Sequence, residues 1–161
     1  MSKKLFAGLF SGLIATLFSA CDGMALQELK PGVSTGADVR NRMGRPTMEW
    51  KDADGTLTWE YPSTPEGIVN YMIVIGPDSV LREVRQVLND ENFARIKAGM
   101  SKEEVRRLLG RPAHEVYFSL KKEHVWDWKT KSEPSMDTFF NVHFDEDGVV
   151  LRTSSNLAPK G

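Results

Sequence analysis

Three histidines and one acidic run are the residues whose types could hold a metal or move a proton: His114, His124 and His143, and Asp145-Glu-Asp-Gly148. The histidines lie 10 and 19 residues apart. Neither gap is the one-turn spacing with which a His-Glu-x-x-His helix grips zinc. A calcium loop built on Asp145-x-Asp147-Gly148 would place a glutamate six residues after the glycine, where Ser154 stands. A hairpin turn is the expected reading of that run. No Gly-x-Ser-x-Gly elbow and no glycine-rich phosphate loop occurs. The sequence therefore predicts no catalytic residue, no metal and no cofactor. Recognition is the chemistry left. Trp50, Trp59, Trp126 and Trp128 could form a binding surface, since tryptophan is favoured at interface hot spots, or fill a core. Trp59 and Trp126 occupy equivalent positions of a repeat described below and are expected in the core. Trp50 has no counterpart and is expected at the surface. Arg45 and Arg111 recur in two Gly-Arg-Pro turns, placed either to bind helix C-terminal carbonyls or to grip an acidic partner. Trp50, Arg45 and Arg111 are the candidate partner-binding residues.

Cys21 is the one cysteine and cannot make an internal disulfide. It follows Lys3 and Lys4 and then 16 uncharged, mostly apolar residues from Leu5 to Ala20. That run is short of the ~20 residues of a membrane-spanning helix and reads as the h-region of a signal peptide. Leu17-Phe-Ser-Ala-Cys21 resembles the lipobox of bacterial lipoproteins, with Phe18 where leucine is usual. The resemblance implies a diacylglycerol on the Cys21 thiol and cleavage after Ala20. Cleavage after Ala25, behind Gly23-Met24-Ala25, is the alternative. Asp22 follows the lipid site, and in enteric bacteria that residue favours retention in the inner membrane.

Removing residues 1–20 leaves 141 residues with 19 basic and 22 acidic side chains, a net charge of −3. A mildly acidic chain lacks the basic footprint that nucleic-acid binding needs. The length suits one domain or two very small ones held by an apolar core.

An internal repeat organises the chain. Thr35-Gly-Ala-Asp-Val-Arg-Asn-Arg-Met-Gly-Arg-Pro46 matches Ser101-Lys-Glu-Glu-Val-Arg-Arg-Leu-Leu-Gly-Arg-Pro112 at an offset of 66, with five of 12 positions identical. Leu29-Lys30-x-Gly32 matches Ile96-Lys97-x-Gly99, and Trp59-x-Tyr61 matches Trp126-x-Trp128, both at 67. In each copy Thr35 or Ser101 is a helix N-cap, with Asp38 or Glu104 three residues on. Val39 with Met43, and Val105 with Leu108 and Leu109, give a helical apolar stripe. Gly44 and Gly110 are C-terminal caps, and Pro46 and Pro112 forbid continuation. Shorter helical turns are expected at 26–29 and 93–96.

After each Gly-Arg-Pro the apolar period becomes two. Met48 and Trp50, then Leu57, Trp59 and Tyr61, predict a hairpin about 52–55. Val116, Phe118 and Leu120, then Trp126 and Trp128, predict its counterpart, turning at 121–123. Further strands are expected at 71–75, 80–87, 140–144 and 149–152, with loops at 62–67 and 129–137. The fold class is α+β: two repeats of short helices followed by an antiparallel β-meander, with the helices on one face of the sheet. The expected boundaries are 1–20 signal peptide, 21–88 first repeat, 89–153 second repeat and 154–161 a flexible tail.

This order of features, ending in Phe144-Asp-Glu-Asp-Gly148, resembles the SmpA/OmlA, or BamE-like, domain of Gram-negative outer-membrane lipoproteins, here in tandem. The second copy, 93–152, is the closer match; Ile75-Gly-Pro-Asp78 replaces the Phe-Asp turn in the first. The resemblance implies a non-enzymatic, lipid-anchored scaffold that faces the periplasm, supports outer-membrane assembly or envelope integrity, and binds envelope proteins such as the β-barrel assembly machinery. The tandem architecture also resembles the secreted β-lactamase inhibitor proteins. That implies the alternative of an inhibitor-like protein that binds a periplasmic or secreted enzyme, a β-lactamase or a cell-wall hydrolase.

Overall fold

The computed structural model describes residues 26–160. Cys21, Asp22 and both expected cleavage sites lie outside the described residues. A helical turn at Leu26 and Gln27 is followed by helix α1 (Gly36–Met43) and strands β1 (Met48–Lys51), β2 (Leu57–Pro62), β3 (Asn70–Ile75) and β4 (Leu81–Gln86). Helices α2 (Asp90–Arg95) and α3 (Lys102–Leu109) then lead to β5 (His114–Phe118), β6 (Glu123–Ser132), β7 (Met136–Phe144) and β8 (Val150–Pro159). Two separate four-stranded antiparallel meanders result, β1-β2-β3-β4 and β5-β6-β7-β8.

The repeated sequence folds the same way twice. Thr35 Oγ1 accepts from the Asp38 amide at 3.2 Å while the Asp38 carboxylate accepts from the Thr35 amide at 2.8 Å. Ser101 and Glu104 repeat both contacts at the same lengths. These backbone hydrogen bonds hold the Asp38 and Glu104 carboxyls below the usual carboxylate range. Gly44 and Gly110 end the helices at φ of +78° and +74°, a conformation cheap only for glycine. The second aromatic of each Trp-x-Tyr/Trp motif then donates to that glycine: Tyr61 Oη to Gly44 O at 2.9 Å, and Trp128 Nε1 to Gly110 O at 3.1 Å. Burial pushes the Tyr61 phenol up to about 12, so it remains a donor. The Gly-Arg-Pro turn and the aromatic pair are thus one device, which locks helix to sheet. Each helix N-cap also bridges the far hairpin, Thr35 to Val80 and Ser101 to Val149.

Each unit buries its own core. Leu29, Val39, Trp59, Tyr61, Ile73, Ile75 and Leu81 fill the first. Ile96, Val105, Leu109, Trp126, Trp128, Val142, Phe144 and Val150 fill the second. Full burial of one such side chain stabilises by about 1.5–3 kcal/mol. Trp59 and Trp126 are core residues, as expected from their equivalence.

The units meet through α3. Val105 and Leu109 face the second core, while Arg106 reaches back to sheet one. There Glu60, fully buried, accepts from Arg106 Nε and Nη2, both at 3.1 Å, and from Thr47 Oγ1 at 2.8 Å. Asn70 Nδ2 donates to the carbonyls of Leu109 at 2.8 Å and Arg111 at 3.0 Å. Sheet one is therefore buried on both sides, with Trp50, Met72 and Val87 clustered on the outer one. This is why 71–75 reads as apolar on both faces.

Three expectations are corrected. Residues 154–159 are not a loose tail: they continue β8, pairing Ser154 with Asn141, Asn156 with Phe139 and Ala158 with Asp137. The segment is polar because its side chains face solvent on an edge strand. The expected loop at 129–137 is largely strand as well, since β6 runs to Ser132 and β7 starts at Met136 around a bulge. Leu120, expected in a strand, lies in the β5–β6 turn and is fully exposed.

Candidate functional site

Strand alternation sends Trp126, Trp128, Val142 and Phe144 inward and sets their neighbours on the outer face of sheet two. Register brings His114 opposite Asp127, Asp127 opposite Asn141, and Asn141 opposite Ser154. One row along, Val116 meets Val125, Val125 meets His143, and His143 meets Arg152. A polar network runs across β6, β7 and β8, and a separate His114–Asp127 pair joins β5 to β6. His143 Nδ1 lies 3.0 Å from Glu123 Oε2 and its Nε2 lies 2.9 Å from Ser154 Oγ. Arg152 Nη2 donates to the same Glu123 oxygen at 2.9 Å. Asn141 Nδ2 donates to Asn156 Oδ1 at 2.8 Å and to Ser154 Oγ at 3.3 Å. His114 Nδ1 lies 2.9 Å from Asp127 Oδ1, and Lys129 Nζ 3.2 Å from Asp137 Oδ2.

The electrostatics follow from burial and pairing. Burial holds the His143 imidazole below its ordinary value, against the hydrogen bond to Glu123 that favours the charged ring. The Glu123 carboxyl is held down, first by the His143 hydrogen bond and then by the Arg152 charge. Burial raises the Asp127 carboxyl despite its His114 partner. The row Glu123–His143–Ser154 has the order of a nucleophilic relay. Each end of it is shared with a further partner, Arg152 or Asn141, so the row is one stretch of a cross-strand network. A cavity of about 270 Å3 opens beside it, with Phe118 and Val125 as its apolar wall and Asn141, His143 and Asn156 as its polar one. Sequence reading missed this face. The period of two along β7 places Asn141 and His143 together, but nothing local reveals that Glu123 and Ser154 lie alongside.

The residues singled out from sequence lie elsewhere. Trp50 is only 8% exposed, contrary to its expected place at the surface. It packs on the outer side of sheet one with Met72 and Val87, and the Arg107 guanidinium sits 5.6 Å over its ring. That cover comes from the other unit. Arg45 and Arg111 are exposed, and among the described residues neither side chain donates to a helix C-terminal carbonyl. Tyr61 and Trp128 take the glycine carbonyls of these turns, and Asn70 takes those of Leu109 and Arg111. Arg45 lines a cavity of about 200 Å3 with Met43, Tyr61 and Tyr71. The Asp145 run is a hairpin turn, its Oδ1 accepting from the amides of Asp147 at 3.0 Å and Val149 at 2.9 Å. The His124 ring lies tilted against Tyr117, with centroids 4.7 Å apart. Among the described residues no three His, Cys, Asp or Glu side chains are grouped to hold a metal ion. No described helix is long and apolar enough to cross a membrane.

With this geometry in hand, comparison with known proteins places the second unit. Residues 86–154 match the family model of the outer membrane protein assembly factor BamE domain. No curated protein matches the chain. Among solved structures the chain is similar to a DUF4309 family protein from Bacillus subtilis, at 18% identity over 83% of this chain and 84% of that one, with a TM-score of 0.32. It is also similar to a protein described as a β-lactamase inhibitor from Streptococcus mutans, at 13% identity over 86% and 97%, TM-score 0.34. A third is an extracellular protein with an SCP domain from Bacillus anthracis, at 12% identity, of which the chain spans 55%, TM-score 0.30.

Proposed function

We propose that the protein is a non-enzymatic scaffold of the bacterial cell envelope, anchored by lipid on Cys21, that supports outer-membrane protein assembly by binding other envelope proteins. The observation that carries this reading is the match of residues 86–154 to an assembly-factor domain. The first unit, with the same capping box, glycine turn and aromatic lock, is read as a second domain of that kind. The lipobox-like Leu17-Phe-Ser-Ala-Cys21 supports the anchor and periplasmic orientation. The outer membrane is the membrane proposed; Asp22 is the feature that favours the inner one. The partner-binding residues proposed are the exposed Arg45 and Arg111.

Two experiments test the reading. Mass spectrometry of the mature N-terminus with membrane fractionation is expected to find acylated Cys21 in the outer membrane; a chain starting at residue 26 in the soluble periplasm contradicts the anchor. Deleting the gene is expected to lower the amount of folded β-barrel protein in the outer membrane and to raise sensitivity to large antibiotics. Unchanged barrel levels and permeability contradict the assembly role.

A further inference from the structure

Asn141, on the outer face of sheet two, is only 9% exposed. A polar side chain so buried is expected to use its hydrogen-bonding groups. Its Nδ2 does, donating to Ser154 O at 3.4 Å, Ser154 Oγ at 3.3 Å and Asn156 Oδ1 at 2.8 Å. These contacts fix which end of the amide is nitrogen. Among the described residues no hydrogen bond reaches its Oδ1. Asn156 is left in the complementary state, with Oδ1 taken and Nδ2 unused. Both side chains line the cavity of about 270 Å3 beside the Glu123–His143–Ser154 row. The buried side-chain atoms that are sealed from solvent without a partner belong to Trp59, Asn70 and Gln86, so Asn141 Oδ1 stays accessible from the cavity. The remaining walls add two features. Phe118 and Val125 are apolar. Lys121 lines the cavity and, among the described residues, has no ion-pair partner, whereas Lys122 beside it holds Glu146 at 3.4 Å. The Glu123 carboxylate on the same cavity is already held by Arg152 at 2.9 Å and His143 at 3.0 Å.

We propose that this cavity binds the C-terminal residue of a partner polypeptide, an apolar side chain followed by a free carboxylate. The side chain lies against Phe118 and Val125, and the carboxylate meets the Lys121 ammonium. A peptide unit carries one N–H and one C=O, the complement of the unused Asn141 Oδ1 and Asn156 Nδ2. The volume is below the ~300–1,000 Å3 of sites for drug-sized ligands, so the cavity takes one residue rather than a length of chain. A fatty acid matches the apolar wall and the ammonium but leaves both amide groups unmet. The site stands on the geometry of sheet two and is independent of the assembly role.

Fluorescence anisotropy with the full-length, detergent-solubilised chain tests this. The probes are a labelled hexapeptide of serine and glycine that ends in phenylalanine with a free carboxylate, the same peptide amidated, and one ending in serine. The free acid is expected to bind about fivefold more tightly than the amide, the measure of one ion pair at an open site. It is expected to bind about tenfold more tightly than the serine-ended peptide, for the buried ring. Lys121→Ala is expected to bind acid and amide equally, with the thermal midpoint of the parent, while Lys122→Ala keeps the preference for the acid. Asn156→Ala is expected to weaken acid and amide alike, by about fivefold, for one lost hydrogen bond. No binding of the acid at ~1 mM, equal binding of acid and amide by the parent, or a preference lost as fully in Lys122→Ala as in Lys121→Ala overturns the proposal. Displacement of the peptide by decanoate at lower concentration than by unlabelled peptide also overturns it and makes the ligand a fatty acid. None of these outcomes bears on whether the chain captures assembly components.

Discussion

Glu60 is the residue that ties one unit to the other. It lies between Trp59 and Tyr61, and alternation alone assigns it to the surface. Its burial was not legible in the sequence, because the group that covers it, Arg106, lies 46 residues away in another helix. Arg106→Ala is expected to lower unfolding free energy by about 3 kcal/mol in a urea titration, since it strands a fully buried carboxylate. Glu60→Gln is expected to cost less, because Arg106 is 27% exposed and can reach water. At the open face of sheet two, His143 is expected to titrate below 6.5 by NMR. The sign follows from burial. The unfolded chain takes up the proton first, so the His143 contribution is full above 6.5 and is lost as pH falls through the depressed folded value. His143→Gln removes that acid-side loss. An imidazole midpoint at or above 6.5 contradicts the burial described for it.

At the scale of elements, most of the fold was legible. The Ser/Thr caps, the glycines at +78° and +74° and the change of period to two fix both helices and most strands. The polar strand ends were not legible. Lys131 and Ser132 read as loop and Ser154 to Pro159 as a flexible tail, yet each segment pairs with β7, which lies between them. Composition reports solvent exposure, and an edge strand on an open sheet face is exposed without being loose. The two glycine caps make an element-level prediction. Gly44→Ala meets nothing within 4 Å and is expected to cost about 1 kcal/mol for its left-handed backbone alone. Gly110→Ala brings a Cβ within 2.9 Å of Asn70 Nδ2, the group that holds two carbonyls of the other unit. It is expected to cost clearly more in the same urea titration. Equal costs contradict the account of how the units are joined.

For the whole molecule, the duplicated grammar announces two units, and each forms its own meander and core. What the repeat does not announce is how they dock, because Glu60, Asn70 and Trp50 have no identical counterpart, and Arg106, identical to Arg40, takes a different partner: Arg40 pairs with Glu49 and Arg106 with Glu60. Trp50 illustrates this: a tryptophan without a counterpart reads as a surface feature, and here it is buried with Met72 and Val87 beneath the Arg107 guanidinium. The functional reading rests on the second unit's family match and on the anchor signal ahead of the first. Its most direct test is affinity capture of the full-length chain from detergent-solubilised envelopes, with quantitative mass spectrometry of what comes with it. The account predicts that components of the β-barrel assembly machinery are enriched over a mock capture and fall to background when Cys21→Ala removes the anchor. Recovery without any assembly component, or with a periplasmic enzyme in their place, contradicts it.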